Sequence, residues 1–235
     1  MALLLSFIIS TIITIPKILI EKKFLASNTI ICVKKGNLLL EKGNIAITSS
    51  NYFDLNKHKK SSNSIKQQLI KTDFKDNLEG INKLIEESLL RQGIKGKQNK
   101  KKEKGKKIKY DIGTTAVVPV EHRKILLVIM TKLNLKEGKK RTESNLEYLQ
   151  KGLNSLWKLY DSEGNLEPLS IPVFGSGLSK ISLSRLIFIQ LIIMSYVSYA
   201  RTRRITKRLN IVINEKNYNP EEFYQIEKFI KSIEF

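Results

Sequence analysis

The chain has 235 residues, 41% of them hydrophobic and 8% aromatic, which suits one sizeable domain with a real core plus an appendage. One cysteine, Cys32, excludes an internal disulfide, and two histidines in polar surroundings, His58 and His122, leave no zinc-ligand cluster. A formal charge of +20, from 42 Lys+Arg against 22 Asp+Glu, points to acidic partners: nucleic acid, an anionic membrane surface or a phosphorylated ligand.

In chain order, residues 2–15 (ALLLSFIISTIITI) carry no charge, and Pro16-Lys17 interrupts an apolar run that Ile18-Leu19-Ile20 extends and Glu21-Lys22-Lys23 closes. About 20 residues are needed to cross a bilayer core as a helix, so residues 1–23 read as a membrane helix in which Lys17 snorkels, alone or as the last half of a truncated hairpin, with a buried helix as the alternative. No basic region precedes the run, which argues against a cleavable signal peptide. The lysines on its C-terminal flank place the rest of the chain in the cytoplasm. The remaining residues, 24–235, form the second unit.

Thr29–Val33 and Asn44–Thr48 read as strands, with Leu38-Leu39-Leu40 between two turns and a loop over Ser49–Asp54. Helices are expected at Ser61–Ile70, opened by Ser62 or Asn63, and at Asp76–Leu90, where apolar residues recur at helical spacing. Lys95–Lys109 holds nine lysines and one glutamate and reads as a mobile surface loop. Two strands follow (Thr114–Val120, Lys124–Thr131), then an amphipathic helix over Ser144–Tyr160 and a strand over Leu169–Phe174. A core helix spans Leu183–Tyr199, and the chain closes with a strand at Leu209–Ile213 and a helix at Pro220–Ile233. Strands alternating with helices predict an α/β fold with a mixed central sheet and helices on both faces.

In such folds ligands bind beyond the carboxyl ends of the strands. The strand ending at Phe174 runs into Gly175-Ser176-Gly177-Leu178-Ser179-Lys180 and an apolar helical pattern from Ser179 onward. Glycines admit close approach of the backbone to an anion, and a helix start offers free N–H groups, so this is the layout of a phosphate cradle. The alternative is an ordinary turn capped by Ser179. The loop after Thr48 lies at the same kind of strand end, and the two together would make one cleft.

Several segments in order resemble a divergent macro domain: Gly36-Asn37-Leu38-Leu39, Gly43–Ile47, Asn51-Tyr52-Phe53-Asp54, Ser64-Ile65, Asp111-Ile112-Gly113-Thr114 and Pro172–Leu178. The series covers residues 29–214 and is most similar to the macro domains that follow transmembrane helices in bacterial Thoeris antiphage effectors. The resemblance implies a three-layer α/β/α fold and a nucleotide site built from Asn37, Asn51, Phe53, Asp54, Ser64, Gly113, Gly175, Ser176, Gly177, Leu178, Ser179 and Lys180. Asn37 stands where the family usually has an adenine-binding aspartate. The family's glycine run after the second strand is missing, and Lys66-Gln67 replaces its His-Gly.

The resemblance further implies a sensor of an ADP-ribose-derived signal, histidine–ADP-ribose, made by a partner TIR-domain enzyme. It implies membrane disruption by a self-associating protein of the bacterial inner membrane, with no resident cofactor and no catalytic residue. The competing readings are an ADP-ribosyl hydrolase using Asp54, and a nucleic-acid-binding protein resting on Lys95–Lys109 and Arg201–Arg208. The sequence argues against the last, because aromatic residues are not interleaved with those charges.

Overall fold

The computed structural model describes residues 17–55, 64–102, 105–136, 139–175 and 183–233. Among these, an eight-stranded mixed sheet carries helices on both faces. Its strands are β1 (Leu19–Phe24), β2 (Thr29–Lys35), β3 (Asn44–Ser50), β6 (Thr115–Val120), β7 (Arg123–Lys136), β8 (Lys139–Glu143), β9 (Leu169–Pro172) and β10 (Arg208–Ile213). Spatial order is β1-β2-β10-β9-β3-β7-β6, with β8 paired to β7. The five central strands β2, β10, β9, β3 and β7 are parallel to one another. All five therefore end on one rim, and β1, β6 and β8 are antiparallel additions.

Alternation along the strands feeds two cores. In β7, Leu126, Val128 and Met130 face one cluster, which holds helices α3 (Leu146–Glu163), α4 (Arg185–Ala200) and α5 (Pro220–Ser232). Ile125, Leu127 and Ile129 face the other, under α1 (Ile65–Asp73) and α2 (Leu78–Arg91). Each helix starts on a side chain that accepts from its first turn: Ser64, Asn77, Asn145, Ser184 and Asn219. Such a cap contributes about 1 kcal/mol. The free edge of β6 is covered by α2, where Ser88 Oγ accepts from Val117 N (2.8 Å) and Gln92 Nε2 donates to Thr115 O (3.1 Å). Those bonds occupy groups that an exposed edge would offer to another chain.

Three expectations are corrected. Residues 19–23, read as the end of a membrane helix, lie in edge strand β1, where Ile20 and Phe24 enter the core. The reason is alternation: the burial pattern of Leu19–Phe24 has the period of a strand, which a purely apolar count overlooks. The folded unit thus reaches back to Lys17, whose ammonium pairs with Glu227 of α5 at 2.6 Å. The rest of the apolar run, residues 1–16, lies outside the described residues. Among the described residues no helix is long and apolar enough to cross a membrane.

The second correction concerns the lysine-rich segment, which is a structured hairpin of β4 (Lys97–Gln98) and β5 (Ile108–Lys109). Third, the helix expected to begin at Ser179 is described from Arg185, behind the cap Ser184; Ser179 itself lies outside the described residues. Helix α1 starts after Ser64; Ser62 and Asn63 lie outside the described residues.

Candidate functional site

The rim where the parallel strands end gathers Gly36-Asn37 after β2, Asn51–Asp54 after β3, Val173–Gly175 after β9 and Asn214 after β10. Strands β3 and β9 are neighbours, so the two loops expected to form a cleft do leave the sheet side by side.

At the β9 end the chain turns through Gly175 at φ +93°, a conformation that favours glycine. A Cβ there would also sit 2.6 Å from the Phe188 ring, so α4 packs directly under this turn. Ser176, Gly177, Leu178, Ser179 and Lys180 lie outside the described residues.

At the β3 end, Asn51 is 1% exposed. Its Oδ1 accepts from Leu133 N (2.9 Å) and its backbone N–H donates to Thr131 O (3.0 Å). Because Oδ1 is fixed by a backbone donor, the other amide atom is Nδ2, and among the described residues it has no hydrogen-bond acceptor. A buried donor left unmade costs about 1–3 kcal/mol, so it marks a place where an acceptor is expected.

Phe53, also held at positive φ (+47°), points into the core and meets Tyr110 edge-on with ring centroids 5.5 Å apart. A bulky residue in that region is strained, and such strain persists only where the surroundings enforce it. Ser64 accepts from Gln67 N (3.3 Å) as the cap of α1. Asn37 accepts from Leu39 N (3.1 Å), capping a short 3-10 turn, and stays exposed. Gly113 belongs to another place: it leads into β6 at the sheet edge and its Cβ position is 2.7 Å from Ser155 Oγ of α3.

Asp54 was the one acid near the loop suited to acid–base work. Its carboxylate is engaged by Lys102 Nζ at 2.8 Å, and the Lys102 side chain is fully buried. Lys102 also donates to Lys106 O (2.6 Å) and lies 4.7 Å from the Tyr52 ring centroid. The hairpin is tied down further by Asn99 Nδ2 to Tyr52 OH (2.6 Å) and Tyr110 N to Asn51 O (2.8 Å). Gly105, at φ +79°, passes so close to Asp54 that a Cβ would be 2.4 Å from its Oδ2. From α1, Lys66 Nζ donates to the Asp54 carbonyl (2.8 Å); burial pushes its pKa down, and the Asp54 charge opposes that shift. Cys32 is buried in β2, where burial pushes its thiol pKa up, so it is a poor nucleophile. Among the described residues no group of three potential metal ligands is found.

Lys102, Lys66, Tyr52 and Tyr110 are what sequence reasoning missed. Gly96, Asn99 and Gly105 are turn-forming residues inside the lysine run and were the available sign that it folds; nothing singled out Lys102 among its neighbours.

A mixed sheet of this order, with its site on the strand-end rim between two helical layers, is the macro-domain architecture. The Oceanobacillus iheyensis macrodomain with MES bound superposes with a TM-score of 0.59 at 10% identity, covering 91% of this chain and 96% of that one. The same organism's macrodomain with ADP gives 0.53 at 9% identity, over 92% and 99%. An alphavirus P23pro-zbd structure gives 0.51 at 13% identity over 87% of this chain and 24% of its own. These likenesses concern the fold. The family described as Thoeris protein ThsA, macro domain, matches residues 31–214, and the chain belongs to it. No curated protein sequence matches.

Proposed function

We propose that this protein is a sensor of Thoeris-type antiphage defence whose macro domain binds an ADP-ribose-derived nucleotide. The observation that carries the reading is the buried, unsatisfied Asn51 Nδ2, one strand away from the glycine turn at Gly175, on the rim where this architecture takes its ligand. Membership of the ThsA macro family and the ADP bound by the Oceanobacillus iheyensis relative support a nucleoside diphosphate there. In this reading the diphosphate lies on the amides of residues 175–178, and Asn51 donates to a ribose hydroxyl or to the group beyond it. The protein holds its ligand without turning it over, because the Asp54 carboxylate that acid–base work would need is engaged by Lys102. Histidine–ADP-ribose from a TIR-domain enzyme is the proposed signal. Residues 2–15 are the proposed membrane-active part, acting after self-association at the bacterial inner membrane, with the macro domain on the cytoplasmic side.

Calorimetry of the protein with ADP-ribose and with histidine–ADP-ribose tests this. The expected result is binding of both, tighter for the conjugate, with the ligand recovered intact. Absence of binding to either overturns the sensor, and release of free ADP-ribose makes the protein a hydrolase. In cells, a version lacking residues 2–15 keeps β1 and is expected to bind without harming the membrane. Toxicity of that version would move the effector activity into the folded domain.

A further inference from the structure

A second concavity lies at the β6 edge of the sheet, where the head of β6 meets the end of α2 and a face of α3. It is an open groove of about 860 Å³, lined by Thr114, Ser155, Lys158, Ser162, Tyr199 and Arg203 over an apolar floor of Ile94, Ile112 and Leu159. Nothing in the proposed nucleotide-sensing rim uses it. We propose that this groove binds a single-stranded nucleic acid, with a base stacked on the Tyr199–Arg203 pair and phosphates along Lys158 and the exposed cations that neighbour the lining residues in sequence.

Planar groups and charges arrive here from distant parts of the chain. Asp161 of α3 accepts from Arg203 Nη1 (2.8 Å) and from Tyr199 OH (3.4 Å), holding both side chains. The guanidinium lies 5.8 Å from the tyrosine ring centroid. One carboxylate thus orients two flat surfaces, and base stacking on tyrosine or guanidinium is tolerant of sequence. On α3, Ser155, Lys158 and Ser162 fall on one helical face toward the groove and offer hydroxyl and ammonium donors. Lys158 is exposed and has no ion-pair partner among the described residues.

Arg91, Lys95 and Lys97, near the lining residues Gln92 and Ile94 in sequence, are exposed, as are Arg201 and Arg204 on either side of the lining residue Arg203. Lys158 and Arg203 in the lining, with exposed cations next to the lining residues in sequence, favour a polyanion over a single nucleotide. Residues 91–109 hold ten basic residues against one acidic residue, Glu103. The ring is half-buried in a groove, so an unstacked base reaches it and a paired base does not. A flat bilayer surface would not reach it either.

The probe is a fluorescein-labelled twelve-nucleotide oligo(dT), read by anisotropy on the full chain, with a duplex of equal length and phosphatidylglycerol vesicles as comparison arms. Binding of the single strand in preference to the duplex, falling steeply as salt rises, is expected. Tyr199→Leu is expected to weaken it about tenfold, and Tyr199→Phe to leave it unchanged. Lys158→Glu, at an exposed position that leaves the fold intact, is expected to weaken it and to flatten the salt dependence. Equal affinity for duplex and single strand overturns the proposal, as does binding to vesicles alone. So does unchanged affinity in Lys158→Glu, which would reduce the interaction to unspecific attraction by the hairpin.

Discussion

At the end of β3 the chain fills its own site. Lys102 is driven through the lysine hairpin onto Asp54, Lys66 takes the Asp54 carbonyl, and Tyr110 closes on Asn51. At the end of the adjacent strand, β9, the chain does the reverse: it spends a positive-φ glycine on a turn with Phe188 tight beneath it. The first arrangement removes a carboxylate from chemistry while leaving one amide donor, Asn51 Nδ2, unsatisfied. The second leaves a glycine turn at the strand end, the kind of backbone the proposed function assigns to an anion. Under the proposed function the difference bears on binding against catalysis, because Asp54 is engaged by Lys102 whereas Asn51 Nδ2 has no partner among the described residues.

The largest effect is expected at the glycine turn. Gly177→Glu adds a carboxylate where a diphosphate is to sit. Two charge-assisted hydrogen bonds at about 1.5–3 kcal/mol each are at stake, so affinity for ADP-ribose should fall about 100-fold or more. Unchanged calorimetric affinity with a normal melting curve would move the diphosphate off this loop.

The β3 end is tested through stability. Lys102→Met keeps the length of the side chain and leaves Asp54 without its ammonium. Breaking a buried pair from one side costs about 3 kcal/mol. Denaturant unfolding should show that loss, and adding Asp54→Asn should restore part of it because no charge then remains buried. A Lys102→Met protein as stable as its parent would mean that Asp54 is solvated, and would reopen its role as an acid or base.

How much of this was legible in sequence follows from the kind of signal each part leaves. The parallel strands and α2 to α5 write their burial into apolar periodicity: Leu149, Leu153, Leu156 and Tyr160 line one face of α3, and all are buried. Caps are nearly as visible, although Ser184 rather than Ser179 takes α4, because serines alone do not say which of them precedes the first helical turn. Strand β1 was missed because its alternation, carried by Ile20 and Phe24, abuts a longer uncharged run that dominates any count of apolar residues. The hairpin was missed for a different reason. Fourteen of the fifteen residues from 95 to 109 carry charge or turn signals or are polar, leaving only Ile108 apolar, and its register is set by one ammonium finding one carboxylate 48 positions away. Composition does not record such a pairing. At the strand-end rim, the turn at Gly175 and the loop at Asn51 were readable as strand ends; the capture of Asp54 was not.

A smaller effect is expected from Asn51→Asp. The remaining carboxylate oxygen still accepts from Leu133 N, so the loop keeps its anchor. The donor is lost and a negative charge replaces it beside an anionic ligand. A weakening of about tenfold, one hydrogen bond's worth, should appear in calorimetry. Unchanged affinity would place Nδ2 outside the ligand's reach and leave the β9 turn as the whole site.

The smallest effect sharpens the contrast between neighbours on the hairpin. Lys100 and Lys101 are exposed, whereas Lys102 is fully buried against Asp54. If the hairpin were held by its overall positive charge, reversing any lysine would act alike. If it is held by one pairing, Lys101→Glu should change unfolding free energy by no more than about 0.5 kcal/mol, the range of ordinary surface substitutions. It lowers the net charge of a crowded basic segment, so relief of repulsion and loss of solvation nearly offset each other, and added salt screens what remains. The Lys102→Met loss should persist at high salt, because a pair out of contact with solvent is screened far less. A Lys101→Glu protein destabilised as much as Lys102→Met, with both losses vanishing in salt, would show that diffuse charge and not the Lys102–Asp54 contact fixes the hairpin over the β3 end.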